Sequence, residues 1–223
     1  MTLIKPEALV DLGEAAHKAR VDLRIDLIYA DAAHPLNQTF ATAIYRPGAR
    51  LRLYCDLADI VLAAGRAANA QGLRLVATDG LRTTEAQARM AQTPRVRANP
   101  HWTQPGPGML ISPPGAGAHP RGMAVDVMIE TLAGKVLDMG CALDYFSPDP
   151  ADNPAARNYP VSDDVRANRA WLDAVMAAGA LACGKELCPL PSEWWDYRLP
   201  RDIYESHAPL SDADLPENMR MCS

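Results

Sequence analysis

The feature that most constrains the fold is the irregular order in which helical and strand-like segments follow one another. Apolar residues recur at helical spacing in three segments, and three short apolar runs are typical of strands. The predicted helices cover 56–71, 83–92 and 163–179, and the predicted strands cover 73–79, 123–129 and 193–199. Because helices and strands do not alternate regularly, the sequence favours an α+β fold with a central, mainly antiparallel sheet flanked by helices.

Capping residues and glycines set the predicted ends of these helices. Asp56 and Thr83 are each suited to cap the start of a helix, Gly72 stops the first helix, and Gly179 ends the last one. Residues 93–122 hold many of the prolines and glycines, which predicts one long loop. Such a loop in a compact domain is often functional.

Length and composition predict one domain over residues 1–223 with a sizeable core. Of the residues, 48% are apolar and 22% charged, as in ordinary globular proteins. The formal net charge is −5 and no long basic stripe is present, so we expect no nucleic-acid partner. Without a secretory signal pattern or an apolar run of about 20 residues, we expect no membrane partner. The expected location is the cytoplasm, or the periplasm if a signal was removed.

The stretch AHPRGMAVDVMI places a histidine at the end of the long loop and an aspartate within the strand that follows. His119 and Asp126 are both of a type that binds zinc, and Gly122 between them permits the turn. The alternative is structural, with an exposed loop histidine and a strand aspartate held by an arginine.

The segment SEWWDY sets two tryptophans between two carboxylates. In a regular strand Glu193 shares a face with Trp195 and Tyr197, and Asp196 points to the other face unless a bulge intervenes. A carboxylate beside bulky apolar rings has a raised pKa, which suits a general base. The structural alternative is a packed edge strand with solvated charges.

Arg82 lies between a predicted buried strand and a predicted helix, in the stretch TDGLRTTEAQ. An arginine in such a place usually forms a surface ion pair. A guanidinium at the mouth of a loop also stabilises an oxyanion. Nothing in the neighbouring residues decides between these two roles.

Five segments follow one another in the order of a single family pattern. They are DGLRTTEAQ (79–87), HPRGMAVDV (119–127), GKVLDMGCALDYF (134–146), NRAWLDAVMAAGA (168–180) and SEWWDY (192–197). Together they resemble the D-alanyl-D-alanine dipeptidases, the VanX-type zinc metalloproteases that hydrolyse a cell-wall (peptidoglycan) dipeptide. The resemblance covers most of the chain and implies a small peptide substrate and a zinc-peptidase domain with its metal site on the sheet.

The resemblance implies a role for each matching residue outside the metal site. Glu193 would be the general base that takes a proton from metal-activated water and later passes it to the leaving amine. Arg82 would hold the developing oxyanion. Asp144 would pair with the free amino group of the dipeptide. The implied substrate is D-Ala-D-Ala.

The implied metal ligands are His119, Asp126 and Asp196, and the third stands where the family pattern has a histidine. One histidine and two carboxylates make a ligated Zn²⁺ formally neutral, which predicts a less acidic water at the ion. The second carboxylate also shifts preference toward harder ions such as Mn²⁺ or Fe²⁺. His207 lies beyond the strand, and no spacing argument makes it a substitute.

A second departure concerns Gly117 and Ala118, which precede His119 where the family often has a serine. A hydroxyl that could bind the carboxylate of the substrate is therefore absent from this segment. Three functions stay open: hydrolysis of D-Ala-D-Ala, a peptidase or amidase of the same fold with another substrate, and a catalytically silent metal-binding protein. The sequence leaves the oligomeric state open.

Overall fold

The computed structural model describes residues 1–106, 108–149 and 151–222. Its strands are β1 (Leu9–Asp11), β2 (Leu23–Ile25), β3 (Arg52–Tyr54), β4 (Leu73–Asp79), β5 (Ala124–Thr131), β6 (Cys188–Pro189) and β7 (Asp196–Arg198). The main sheet has the order β2-β4-β5-β7-β6, with β2 parallel to β4 and each other neighbouring pair antiparallel. β1 and β3 form a small antiparallel sheet. The predicted α+β class with a mainly antiparallel sheet is confirmed.

The three predicted helices are present, but not all of their first and last residues agree with the prediction. They are α1 (Leu12–Ala19), α2 (Cys55–Asn69), α3 (Thr84–Ala91), α4 (Pro94–Ala98), α5 (Asp163–Ala182) and α6 (Arg201–Glu205). Thr83 occupies the predicted N-cap position of α3. Asp56 does not cap α2, because that helix starts one residue earlier and Asp56 instead accepts a bond from Lys185.

Part of the segment predicted as one long loop is ordered as helix. Residues 94–98 form α4, with Pro94 at a first-turn position where its fixed φ favours a helix. Two short 3-10 turns, Pro100–Trp102 and His119–Arg121, also lie in this segment. No helix in the described ranges is long and apolar enough to cross a membrane. The cytoplasmic location stays a prediction.

The prediction that Gly179 ends the last helix was wrong, because α5 continues to Ala182. α5 packs against α2, which in turn packs on β4. A Cβ at Gly179 would lie 2.5 Å from the carbonyl oxygen of Ile60 and 2.8 Å from the backbone nitrogen of Ala64. The glycine therefore permits close approach of two helices, and local sequence alone could not distinguish this role from a helix stop.

The register of the sheet positions the candidate site. A bulge between Ala77 and Asp79 brings Asp79 opposite Asp126, and Asp126 in turn lies opposite Asp196 on β7. Side chains directly opposite one another on neighbouring strands share a face of the sheet. Asp79, Asp126 and Asp196, here called the aspartate row, thus cross three central strands.

We expect Gly179→Ala to destabilise the protein by about 1–3 kcal/mol, because the added methyl group overpacks the contact with α2. Ala178→Gly, at an exposed neighbouring position of α5, is the matched control and should cost about 1 kcal/mol through helix propensity alone. Chemical denaturation measures both. Stabilisation by Gly179→Ala would contradict the close helix packing.

Candidate metal and active site

All six residues singled out from the sequence line one cavity of about 190 Å³. They are Arg82, His119, Asp126, Asp144, Glu193 and Asp196. Residues between 109 and 118, from the long loop that precedes β5, form much of the remaining wall. His207, which the sequence left open, is not among the described residues that line this cavity; its ring packs near Tyr54.

His119 is held so that one ring nitrogen faces the cavity. Its Nδ1 donates to the carbonyl oxygen of Gly80 at 2.8 Å, so in the neutral ring Nε2 presents a lone pair. Nε2 lies 3.5 Å from Oδ1 of Asp126 and 3.4 Å from Oδ2 of Asp196. These separations exceed an N–H···O bond of about 2.7–3.2 Å. They match the spacing of about 3.3–3.6 Å between two N or O donors on one tetrahedral zinc ion.

The other atoms of Asp126 also fit a bound cation. Oδ1 is buried and accepts no hydrogen bond from any described residue, and Oδ2 lies 3.5 Å from NH2 of Arg82. A buried acceptor without a donor is costly. Burial raises the pKa of Asp126. Burial and Arg82 lower the pKa of His119, but Asp126 and Asp196 outweigh them and raise it to about 10. The cluster thus attracts positive charge.

Asp79 and Asp196 are the two candidates for a third metal ligand beside His119 and Asp126. Ligand atoms of Asp79, His119 and Asp126 lie within 4.8 Å of one another. However, both oxygens of Asp79 are already bonded: Oδ1 accepts from Tyr45 at 2.6 Å, and Oδ2 accepts from Nε and NH2 of Arg82 at 2.9 and 2.6 Å. The histidine nitrogen nearest Asp79 is Nδ1, which is occupied by the backbone. Asp196 fits better, although Arg198 binds both of its oxygens, because its Oδ2 lies 3.4 Å from Nε2, the histidine nitrogen that the backbone leaves free.

The predicted strand over residues 193–199 was wrong in its first half. β7 begins at Asp196, and residues 191–195 form a turn and bends. Glu193 and Asp196 were expected on opposite faces of a strand, yet both line the cavity because Glu193 lies outside the strand. Trp194 and Trp195 are buried and pack edge to face against each other. These tryptophans anchor the turn that carries Glu193.

Glu193 lies in an environment that suits proton transfer. Burial raises its pKa well above the ordinary value, and the nearby carboxylates of Asp196 and Asp126 raise it further. Arg198 opposes this shift only in part. A carboxyl group with a raised pKa is a stronger base and is therefore better suited to accept a proton and return it.

Arg82 does not form the surface ion pair that its sequence position also allowed. Its side chain is mostly buried at the cavity, and Nε and NH2 both bind Oδ2 of Asp79. Its carbon Cζ lies 5.6 Å from the ring centre of Tyr29. The guanidinium is thus fixed in place before any substrate arrives.

Asp144 is held at the cavity in an uncommon backbone conformation. Its φ is 55°, a left-handed value that few residues other than glycine adopt. Tyr29 donates a short hydrogen bond to its Oδ2, and Thr39 donates to its carbonyl oxygen at 2.5 Å. Burial and Asp126 raise the pKa of Asp144 to about 7.

The family profile for D-Ala-D-Ala dipeptidases of the M15 peptidases matches residues 8–212. The chain belongs to this family. It is 29% identical over 180 residues to the D-alanyl-D-alanine dipeptidase of Escherichia coli (strain K12), covering 81% of this chain and 80% of that one.

Two solved structures were also similar. The Serratia marcescens L-Ala D-Glu endopeptidase ChiX aligns with a TM-score of 0.40 and 17% identity, covering 68% of this chain and 84% of that chain. The LdcB LD-carboxypeptidase aligns with a TM-score of 0.37 and 15% identity, covering 99% and 80%.

Membership of the dipeptidase family makes the chain a hydrolase of the metallo-dipeptidase type. Sequence reasoning missed several residues of this dipeptidase site. Arg198 could have been found, because residues two apart in a strand share a face and Asp196 precedes it by two. Asp79 stood in the quoted DGLR segment without a role. Tyr29 and Tyr45 reach the site from a region without any predicted element, so no local signal identified them.

We expect the dipeptidase to bind one divalent ion per chain and His119→Ala to lose it, because that change removes the free Nε2. Asp126→Asn should weaken zinc binding, whereas Asp79→Asn should keep the ion, since Asp79 lies nearest to Nδ1 of His119, which the backbone occupies. Metal analysis and chelator competition measure this, with His17→Ala as the control at an exposed histidine. Retention of a full equivalent by His119→Ala would place the ion elsewhere.

Proposed function

We propose that this dipeptidase hydrolyses a small D-amino-acid dipeptide, with D-Ala-D-Ala as the first candidate substrate. The observation that carries the proposal is the spacing of Asp126 Oδ1 and Asp196 Oδ2 around Nε2 of His119, at 3.5 and 3.4 Å. Glu193 and Arg82 line the same cavity. The family membership supports the dipeptide as substrate class.

His119, Asp126 and Asp196 would hold the ion. Zinc is the family's metal, and the second carboxylate also suits Mn²⁺ or Fe²⁺. When bound, such an ion supplies Lewis acidity, which polarises the scissile carbonyl and makes water a stronger acid. Side chains of the protein would transfer the proton, stabilise the developing charge and bind the substrate.

Glu193 would act as the general base. Its raised pKa allows it to take a proton from the attacking water and then to give that proton to the nitrogen of the departing amino acid. The fixed turn on which it stands keeps the carboxyl group at the cavity, so little reorganisation accompanies the transfer.

Arg82 would stabilise the negative charge that develops on the carbonyl oxygen. Two nitrogens of its guanidinium donate to Asp79, which fixes the position of the group. The positive charge is therefore in place before the reaction, and no side-chain movement is needed. Within the aspartate row, Asp79 would thus orient Arg82 rather than bind the ion.

Asp144 would bind the free amino group of the dipeptide. Its carboxyl is buried, held by Tyr29 and directed to the cavity that contains Glu193 and Arg82. A buried carboxylate paired with an ammonium group selects a substrate with a free N-terminus, which favours a dipeptide over an internal peptide segment.

The size of the cavity favours a small substrate, and part of its lining favours an aliphatic side chain on that substrate. Its volume of about 190 Å³ suits a small substrate rather than a long peptide. Phe40, Met90, Ile111 and Phe146 form an apolar part of the wall. This apolar part favours a second candidate, a dipeptide with a larger aliphatic residue processed by the same chemistry.

We expect purified protein supplied with Zn²⁺ or Mn²⁺ to hydrolyse D-Ala-D-Ala faster than L-Ala-L-Ala. Glu193→Gln should lower kcat by about 10²–10⁴-fold while keeping the metal, since it removes the proton acceptor and preserves the shape. Glu186→Gln, the same change at an exposed site, is the control. Cleavage of a D-Ala-D-Leu substrate alone would support the second candidate. Absence of any dipeptide hydrolysis by metal-loaded protein would refute the proposal.

We expect the KM for the dipeptide to fall as pH rises through about 7. The pKa of Asp144 is raised to about 7, so below that pH the carboxyl is protonated and cannot pair with the ammonium group. Asp144→Asn should raise KM by about 10–100-fold, as loss of a charged hydrogen bond does, and should remove this pH step. Asp164→Asn, at an exposed site on α5, should change neither. An unaltered pH profile of KM in Asp144→Asn would contradict the role.

A further inference from the structure

We propose that Arg198 is a positioning residue that makes Asp196 a ligand of the ion, an inference that rests on the metal site proposed above. The two residues are two apart on β7 and face the same cavity. Nε of Arg198 donates to Oδ1 of Asp196 at 2.8 Å, and NH2 donates a shorter bond to Oδ2. Such a bidentate pair fixes the plane of the carboxylate, whereas a single hydrogen bond would let it rotate.

The pair with Arg198 leaves a ligand position on Asp196 available. A carboxylate has about four lone-pair sites on its two oxygens, and the guanidinium occupies one site on each. Oδ2 of Asp196 lies 3.4 Å from Nε2 of His119, which is itself 3.5 Å from Oδ1 of Asp126. Arg198 therefore orients this oxygen without covering it, as an outer partner does for a metal-binding carboxylate.

Arg198 also changes the charge of the site. A dication held by neutral His119, Asp126 and Asp196 sums to zero, which was the expectation from the sequence. That sum left Arg198 out, and its single positive charge beside Asp196 brings the total to +1. Before an ion binds, Arg198 also offsets the repulsion between two aspartates on directly opposed strand positions.

A different role for Arg198 would be direct contact with the carboxylate of the substrate, because part of its side chain reaches the cavity. The two roles differ in what they require of residue 196. A positioning role disappears when residue 196 no longer needs a cation beside it. A substrate contact persists whatever residue stands at 196.

The experiment is a double-mutant cycle on zinc affinity with the full-length chain. Zn²⁺ alone is titrated against a competing chelator for wild type, Arg198→Met, Asp196→His and the double variant. We expect Arg198→Met to weaken zinc binding by about 10–100-fold in the wild-type background, as loss of an outer partner does. With histidine at 196 the same change should have almost no effect, because imidazole needs no counter-charge. Circular dichroism of the metal-free proteins checks that each variant folds.

Equal losses of affinity in the two backgrounds, or no loss in the wild-type background, would overturn the role. An unchanged zinc affinity with a raised KM in both backgrounds would assign Arg198 to the substrate instead. If Arg198→Met does not fold, Arg198→Lys decides: it keeps the charge but not the two-pronged bond, so zinc must still bind more weakly than in wild type. Wild type that binds no zinc, or binds it as well without His119, refutes the proposed metal site itself.

Discussion

Three buried aspartates side by side on the central strands are the constraint on which the site depends. Like charges at directly opposed strand positions repel, and a buried carboxylate is costly unless it is paired. Arg82 binds Asp79 and Arg198 binds Asp196, each through two donors. Within the described ranges, Asp126 at the centre of the row has no such partner. The fold thus pairs each of the two outer members with an arginine, and the central one would be paired by the ion proposed above.

The same concentration of negative charge prepares the chemistry around it. Half-buried Glu193 and buried Asp144 both have raised pKa values because they lie in a poorly solvated site near the aspartate row. The proposed general base and the proposed ammonium-binding carboxyl group therefore share one electrostatic environment. The strands that carry the row lie within the sheet, and the packing of α2 on β4 and α5 supports that sheet. Such a platform limits movement of the site residues.

The segments that depart from the family pattern are held by side chains beside them. Aspartate at 196 comes with an arginine two residues later that binds it. The loop that lacks the family serine is pinned through its backbone: Gln87 bonds Gly115 and Ala116, and Arg121 bonds the carbonyl oxygen of Gly117 at 2.7 Å. Side chains from α3 and from the turn before β5 therefore hold the backbone of this part of the cavity wall.

The sequence by itself determined the α+β class, the main helices, the strands at 73–79 and 123–129, and the family. Apolar periodicity and motif order are local properties, so they can be read without the fold. Gly179 and α4 were misjudged, because a contact between helices and a proline-started turn of helix leave no distinctive periodicity.

Only the tertiary structure decided how the site residues meet. The bulge before Asp79 and the pairing of Asp126 with Asp196 join strands that are far apart in the chain. Because side chains alternate along a strand, a register shift of one residue would turn a member of the row to the opposite face. The turn before β7 likewise decides the position of Glu193. That residue lies outside the strand and therefore does not follow the alternation of its side chains. Register and turns depend on packing between distant segments, and no local pattern in the sequence encodes them.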